Sequence, residues 1–326
     1  MNGSWLKRVW TQIRCANKAV CVTTAVVAVV GTVAMLTGCQ SVSPEPAGLS
    51  IVATTTQVTD FTRQVVGDAA HVDGIIAPNQ SAHSFDPSAK VLLELAHAQA
   101  LVINGVGIEP WLKDAIDASG FDGTVIDAST GLAVVDNDPH VWTSISNAQA
   151  MVVTIASGLS SVAPELAGTF HANASAYERQ LNLLQEWAQA DIAQIPAAQR
   201  LLVTNHDGLA YFVAEMGITF VGSIIPSFDD NAEPSAAEID ALVSKIKASG
   251  AKAVFSESSI SPKLAQTIAA EAGVRVYSGE DALYADTLGP AGSTGDTYIS
   301  ATEHNVRTLV TAWGGTNLPL PKGLPS

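Results

Sequence analysis

The chain has 326 residues, 47% hydrophobic and only 14% charged, with 16 Lys and Arg against 31 Asp and Glu for a net charge of −15. That balance excludes nucleic acid as a partner, since binding a polyphosphate needs a basic face. Three cysteines over this length exclude a disulfide-stapled scaffold.

The first 38 residues set the compartment. Lys7, Arg8, Arg14 and Lys18 precede an apolar run over 19–36, the layout of a secretory signal. The run ends in Leu36-Thr37-Gly38-Cys39, a lipobox whose thiol can accept a diacylglycerol group. A single spanning helix is the competing reading, because about 20 apolar residues cross a bilayer. The cysteine at the processing position, and the polar stretch with Pro44 and Pro46 after it, favour the lipoprotein. Cleavage before Cys39 leaves one cysteine and removes four cations, so twelve cations face 31 acids and the charge becomes −19. Residues 39–50 then form a tether that lifts a soluble body off the extracytoplasmic face of the cell membrane.

Beyond the tether, short β-branched runs alternate with helical patterns. Residues 49–53, 71–76, 100–103 and 124–126 read as strands in a first α/β lobe over 51–168. Residues 200–204, 217–225, 252–256 and 274–277 repeat the alternation in a second lobe over 196–326. Such alternation predicts right-handed βαβ units, parallel sheets flanked by helices, and a separate core in each lobe. One echo links the halves: Ile75-Ile76-Ala77-Pro78 leads to Pro87-Ser88 and a helix, as Ile224-Ile225-Pro226 leads to Pro234-Ser235 and a helix. Residues 169–195 lack Gly and Pro and space Tyr177, Leu181, Leu184 and Trp187 helically, predicting one long helix stopped by Pro196 that joins the lobes.

Three of seven histidines fall in loops after predicted strands, where open α/β sheets place their ligands. His83 lies in Ser81-Ala82-His83-Ser84-Phe85-Asp86-Pro87, His140 in Asp138-Pro139-His140-Val141-Trp142, and His206 in Thr204-Asn205-His206-Asp207-Gly208. Each has an acidic or amide neighbour able to orient its ring, as metal-binding imidazoles require. The spacing forms no local motif, so structural histidines remain an alternative. His71, His97, His171 and His304, at a strand start or within helices, are read as structural or solvated. Trp111, Trp142 and Trp187 are read as packing, Glu109 as a turn or lobe contact, and Asp229, Asp230 and Glu233 as a solvated loop.

Taken in order, several segments resemble the substrate-binding lipoproteins of bacterial zinc and manganese ABC importers. They are Ile51-Val52-Ala53-Thr54-Thr55, His83 to Pro87, Asn104-Gly105-Val106-Gly107-Ile108-Glu109-Pro110-Trp111-Leu112, Asp138 to Trp142, His206-Asp207 with Tyr211-Phe212, Glu257-Ser258-Ser259, Ala285-Asp286-Thr287-Leu288-Gly289 and Gly295-Asp296-Thr297-Tyr298. The resemblance implies a cleft between the lobes in which His83, His140, His206 and Asp286 hold the transported ion. It also implies a membrane permease and a cytoplasmic ATPase as partners, a monomeric carrier and no catalysis.

Two departures are visible. Thr143-Ser144 stands where relatives often have Leu-Asp-Pro, which bears on the surroundings of His140. The stretch from 131 to 138 is too short for the His-rich loop of one zinc branch. Three histidines and a carboxylate favour Zn²⁺. The segments at 257–259 and 295–298 resemble the manganese branch, and a bidentate Asp286 would suit Mn²⁺. The competing functions are a carrier of an organic ligand or metal chelate, and a secreted zinc hydrolase with Asp207 or Glu257 as base. The chain holds no His-Glu-x-x-His or Gly-x-Ser-x-Gly segment to support the latter.

Overall fold

The computed structural model describes residues 48–325. The signal peptide expected over 1–38, Cys39 and most of the tether lie outside the described residues. Among those described, no helix is long and apolar enough to cross a membrane.

The first half runs β1 (Ser50–Ala53), α1 (Thr56–Val66), β2 (His71–Gly74), α2 (Ala89–His97), β3 (Ala100–Ile103), α3 (Leu112–Ser119), β4 (Thr124–Asp127) and α4 (Ile145–Val162). Its strands form one parallel sheet in the order β2-β1-β3-β4. Ile51, Leu101 and Val102 are fully buried, as expected for strands covered on both faces.

α5 (Ala167–Ala193) then carries the chain into the second half. At about 1.5 Å per residue its 27 residues span roughly 40 Å. Phe170, Tyr177, Leu181, Leu184 and Trp187 form its buried stripe. It stops two residues before the predicted end, because the residue ahead of Pro196 is pushed out of helical geometry.

The second half contains β5 (Leu201–His206), α6 (Ala210–Met216), β6 (Thr219–Ile225), α7 (Ala236–Ser249), β7 (Ala253–Phe255), α8 (Lys263–Ala272), β8 (Arg275–Tyr277) and α9 (Tyr298–Trp313). β5 pairs with β6 and β7 with β8, all parallel. Side chains join the two ladders: the Glu257 N–H donates to Asn205 Oδ1 at 2.8 Å, and the His206 N–H donates to Glu257 Oε1 at 2.9 Å. The order is thus β6-β5-β7-β8, the same winding as in the first half. The Pro-Ser echo occupies equivalent places, with Ser88 capping α2 after β2 and Ser235 capping α7 after β6.

The core does not divide as two separate lobes would. One apolar cluster runs from Ile51, Phe61 and Leu101 through Trp142 and Leu181 to Leu283, Tyr298 and Leu309. A smaller one, with Ile224, Ile246, Val254 and Ile268, lies between the second sheet and α7 and α8. The described residues form a single compact unit because α1, α5 and α9 share the larger core. Burying each large apolar side chain there contributes about 1.5–3 kcal/mol.

Candidate metal centre

Four side chains converge where the carboxyl ends of both sheets meet. One donor atom from each of His83, His140, His206 and Asp286 lies within 4.8 Å of all the others. Nε2 of His140 is 3.4 Å from Nε2 of His83 and 3.3 Å from Nε2 of His206. Oδ1 of Asp286 lies 3.4 Å from His140 Nε2 and 3.3 Å from His206 Nε2, and Oδ2 lies 3.7 Å from His83 Nε2. The side chains of His140, His206 and Asp286 are fully buried, and that of His83 is 10% exposed.

Each residue is held by its own local chemistry. His83 lies on the loop between β2 and α2, where Ser81 Oγ accepts its backbone N–H at 3.2 Å. Trp111 Nε1 donates to the Ala82 carbonyl at 2.9 Å, and Phe85 packs on Trp111 with ring centres 4.9 Å apart. His140 follows β4. Asp138 Oδ1 accepts its backbone N–H at 3.0 Å and lies 2.6 Å from its ring Nδ1, which turns Nε2 toward the cluster. Thr143, at one of the departures, donates its hydroxyl to the His140 carbonyl at 2.8 Å, so Asp138 keeps its orienting place.

His206 corrects the sequence reading. It is the last residue of β5, paired in register with Ile225, rather than part of the following loop. Its ring Nδ1 faces Glu257 Oε2 at 2.7 Å, so the orienting group is neither Asn205 nor Asp207 but a residue 51 positions on, two residues beyond β7. Glu257-Ser258-Ser259 is one of the segments that carry the resemblance, but nothing in the sequence assigned Glu257 to His206. Gly208 is required here, because a Cβ at this position would overlap His206 Nε2.

The other histidines lie elsewhere. His71 sits in the open beside Asp73, His171 meets Ser160, His304 contacts the Ala282 carbonyl and His97 ends α2. Glu109 anchors a turn: it accepts from the Thr54 hydroxyl at 2.6 Å and from the N–H groups of Asn104 and Gly105 at 2.8 and 3.3 Å. That turn holds Val106 at φ +55, a left-handed geometry costly for a β-branched residue, and Asn104 Nδ2 supports the Pro139 carbonyl at 3.1 Å. The acidic loop is only partly solvated, since Asp230 accepts the Ser81 hydroxyl at 2.9 Å.

The electrostatics are those of an anion waiting for a cation. Neither oxygen of Asp286 has a hydrogen-bond partner of good geometry among the described residues, an expensive state for a buried carboxylate. Burial pushes its pKa up, but the imidazoles of His206 and His140 outweigh this and hold it below the usual carboxylate range. Burial pushes His206 down, yet Asp286 and Glu257 overcome it and keep the ring well above its ordinary value. For His83 burial wins and the pKa falls, despite the attraction of Asp286. Three nitrogens and one or two oxygens, with one donor atom of each residue within 4.8 Å of the others, fit a divalent transition metal.

Comparison with known proteins agrees with this architecture. The chain is 30% identical to the manganese-binding lipoprotein MntA of Bacillus subtilis over 294 residues, covering 85% of this chain and 94% of the relative. It is 29% identical to the zinc-binding lipoprotein AdcA of Streptococcus pneumoniae, covering 84% of this chain but 58% of that longer protein. The solved periplasmic zinc-binding protein TroA of Treponema pallidum has the same fold, with a TM-score of 0.74 and 23% identity over 81% of this chain and 98% of its own. Residues 51–312 match the family described as zinc-uptake complex component A, periplasmic. The chain belongs to that family, whose members are substrate-binding proteins of ABC importers and not enzymes.

Proposed function

We propose that the protein captures a divalent transition metal, zinc in preference to manganese, through His83, His140, His206 and Asp286, and passes it to a membrane permease driven by a cytoplasmic ATPase. The observation that carries this reading is the buried Asp286 carboxylate, with two unpartnered oxygens and three imidazole nitrogens 3.3–3.7 Å away. A four-donor N₃O set suits Zn²⁺, and with no position reserved for activated water it suits carriage rather than hydrolysis. Manganese is the second reading because both Asp286 oxygens are unpartnered, and bidentate binding would raise the coordination number. An organic ligand is disfavoured, since donors within 4.8 Å of one another enclose an atom and not a molecule.

In this reading residues 1–38 are a lipoprotein signal, Cys39 carries the lipid, 39–50 are the tether, and 51–168 and 196–326 are the lobes joined by the helix. The protein then works as a monomer on the extracytoplasmic face of the cell membrane, and Cys39→Ala should release it from the membrane fraction.

The test is metal content by mass spectrometry of protein purified without added metal, with zinc and manganese titrations of wild type and His206→Ala. Near one ion per chain, greatly weakened by the substitution, supports the reading, and competition then ranks the ions. Absence of metal and of binding overturns it.

A further inference from the structure

Asp286 comes from the second half of the sequence, yet the bonds on either side of it run to the first. Up to Tyr284 the chain is fastened within its own half. The Leu283 N–H donates to the Ser256 carbonyl at 2.9 Å, and Asn305 bonds both the N–H and the carbonyl of Tyr284, at 2.8 and 2.7 Å. At Ala285 the direction changes. Its carbonyl accepts Nε2 of Gln57 and Nε1 of Trp142, each at 3.1 Å. Beyond the carboxylate, Thr287 Oγ1 accepts the Asn79 N–H at 3.0 Å, and the Leu288 N–H donates to Thr56 Oγ1 at 2.8 Å. Thr56 Oγ1 donates in turn to Gln57 Oε1 at 3.0 Å, so two adjacent residues opening α1 grip both flanks of Asp286 and brace each other. Gln57 is 1% exposed and Thr287 fully buried, so water cannot substitute for these partners.

His206 is supported differently. Its strand pairs with β6, and Glu257 holds both its ring and its backbone N–H within the second half, while α6 beyond it meets the first half where the Tyr211 hydroxyl donates to the Asp138 carbonyl at 2.9 Å and Glu215 accepts the Ile145 N–H at 2.6 Å. We infer that Thr56 and Gln57 are positioning residues that fix Asp286 to the first half, so that the carboxylate keeps its place beside His83 and His140 through bonds from α1 as well as from its own half. This rests on the metal-carrier reading above.

The test joins a metal-free readout to a metal-dependent one, using Thr56→Val, its conservative counterpart Thr56→Ser, and Gln57→Leu. In metal-free protein, amide hydrogen exchange at Leu288 should be at least tenfold faster in Thr56→Val and Gln57→Leu than in wild type, and near wild type in Thr56→Ser. In zinc-loaded protein, release to excess chelator should also be at least tenfold faster in the first two variants, and they should add nothing in an Asp286→Ala background. Unchanged Leu288 exchange in both variants overturns the clamp. An equal acceleration of release in the Asp286→Ala background overturns its action through Asp286. If Leu288 exchange responds but Asp286→Ala binds zinc like wild type, the metal reading fails while the clamp stands.

Discussion

Oε2 of Glu257 lies 2.7 Å from Nδ1 of His206, and Oε1 of the same carboxylate accepts the His206 backbone N–H at 2.9 Å. One buried side chain therefore fixes both the position of the residue and the direction of its ring. Glu257→Gln keeps the shape but presents a neutral amide where a carboxylate raised the basicity of the ring. We expect zinc affinity to fall about 10- to 100-fold with the fold intact, as measured by competition with a chromophoric chelator and far-ultraviolet circular dichroism.

Among the described residues, Asp286 supplies the only carboxylate oxygens within the donor cluster. A ligand that binds only the folded state, present at about a thousand times its Kd, adds about 4 kcal/mol of stability. Zinc should therefore raise the melting temperature of the wild type by several degrees. Asp286→Ala should abolish that rise, as read by differential scanning fluorimetry with and without zinc.

Gly208 leaves the space that the ring of His206 fills. Gly208→Ala places a methyl group against Nε2, the atom assigned to the ion. The expected outcome is loss of zinc binding by at least tenfold, with metal-free stability lowered by about 1–3 kcal/mol as the buried ring is displaced, measured by calorimetric titration and urea unfolding.

Glu109 is 7% exposed, and burial, opposed by its hydrogen bonds from Thr54, Asn104 and Gly105, pushes its pKa from 4.5 up to about 7. Between these values the folded state binds the proton that the unfolded state has lost. The contribution of Glu109 is thus fully present below about pH 4.5 and lost as pH rises through about 7. The loss amounts to at most about 3 kcal/mol. Urea unfolding of wild type and Glu109→Gln across pH 4.5–8 should show the wild type losing stability relative to the variant as pH rises. A constant difference contradicts the assignment.

Much of this architecture is legible because it is local. All eight strands fall on β-branched runs, and the helix that joins the halves is marked by Tyr177, Leu181, Leu184 and Trp187 at helical spacing and by Pro196. The proposed ligand set required the family resemblance, since imidazoles 57 and 66 residues apart share no motif, though Asp138 beside His140 was visible as an orienting neighbour. What the residues did not show depends on contacts distant in sequence. The place of His206 within the ladder follows from its pairing with Ile225, its orientation from Glu257, and the shared core from Trp142 and Tyr298 packing beside α1 and α5. No periodicity encodes a partner 51 or 156 residues away.

The repeated winding of the two sheets has one more consequence. His83, His140 and Asp286 stand on connections that follow strands β2, β4 and β8, whereas His206 is itself a rung of the β5–β6 ladder. The backbone at His206 is therefore set by the ladder whatever its side chain, whereas the other three corners depend on the bonds that hold their connections, such as those of Asp138 beside His140 and of Thr56 and Gln57 beside Asp286. In the proposed metal site an exchange of side chain at position 206 would alter the donor while leaving the strand in place.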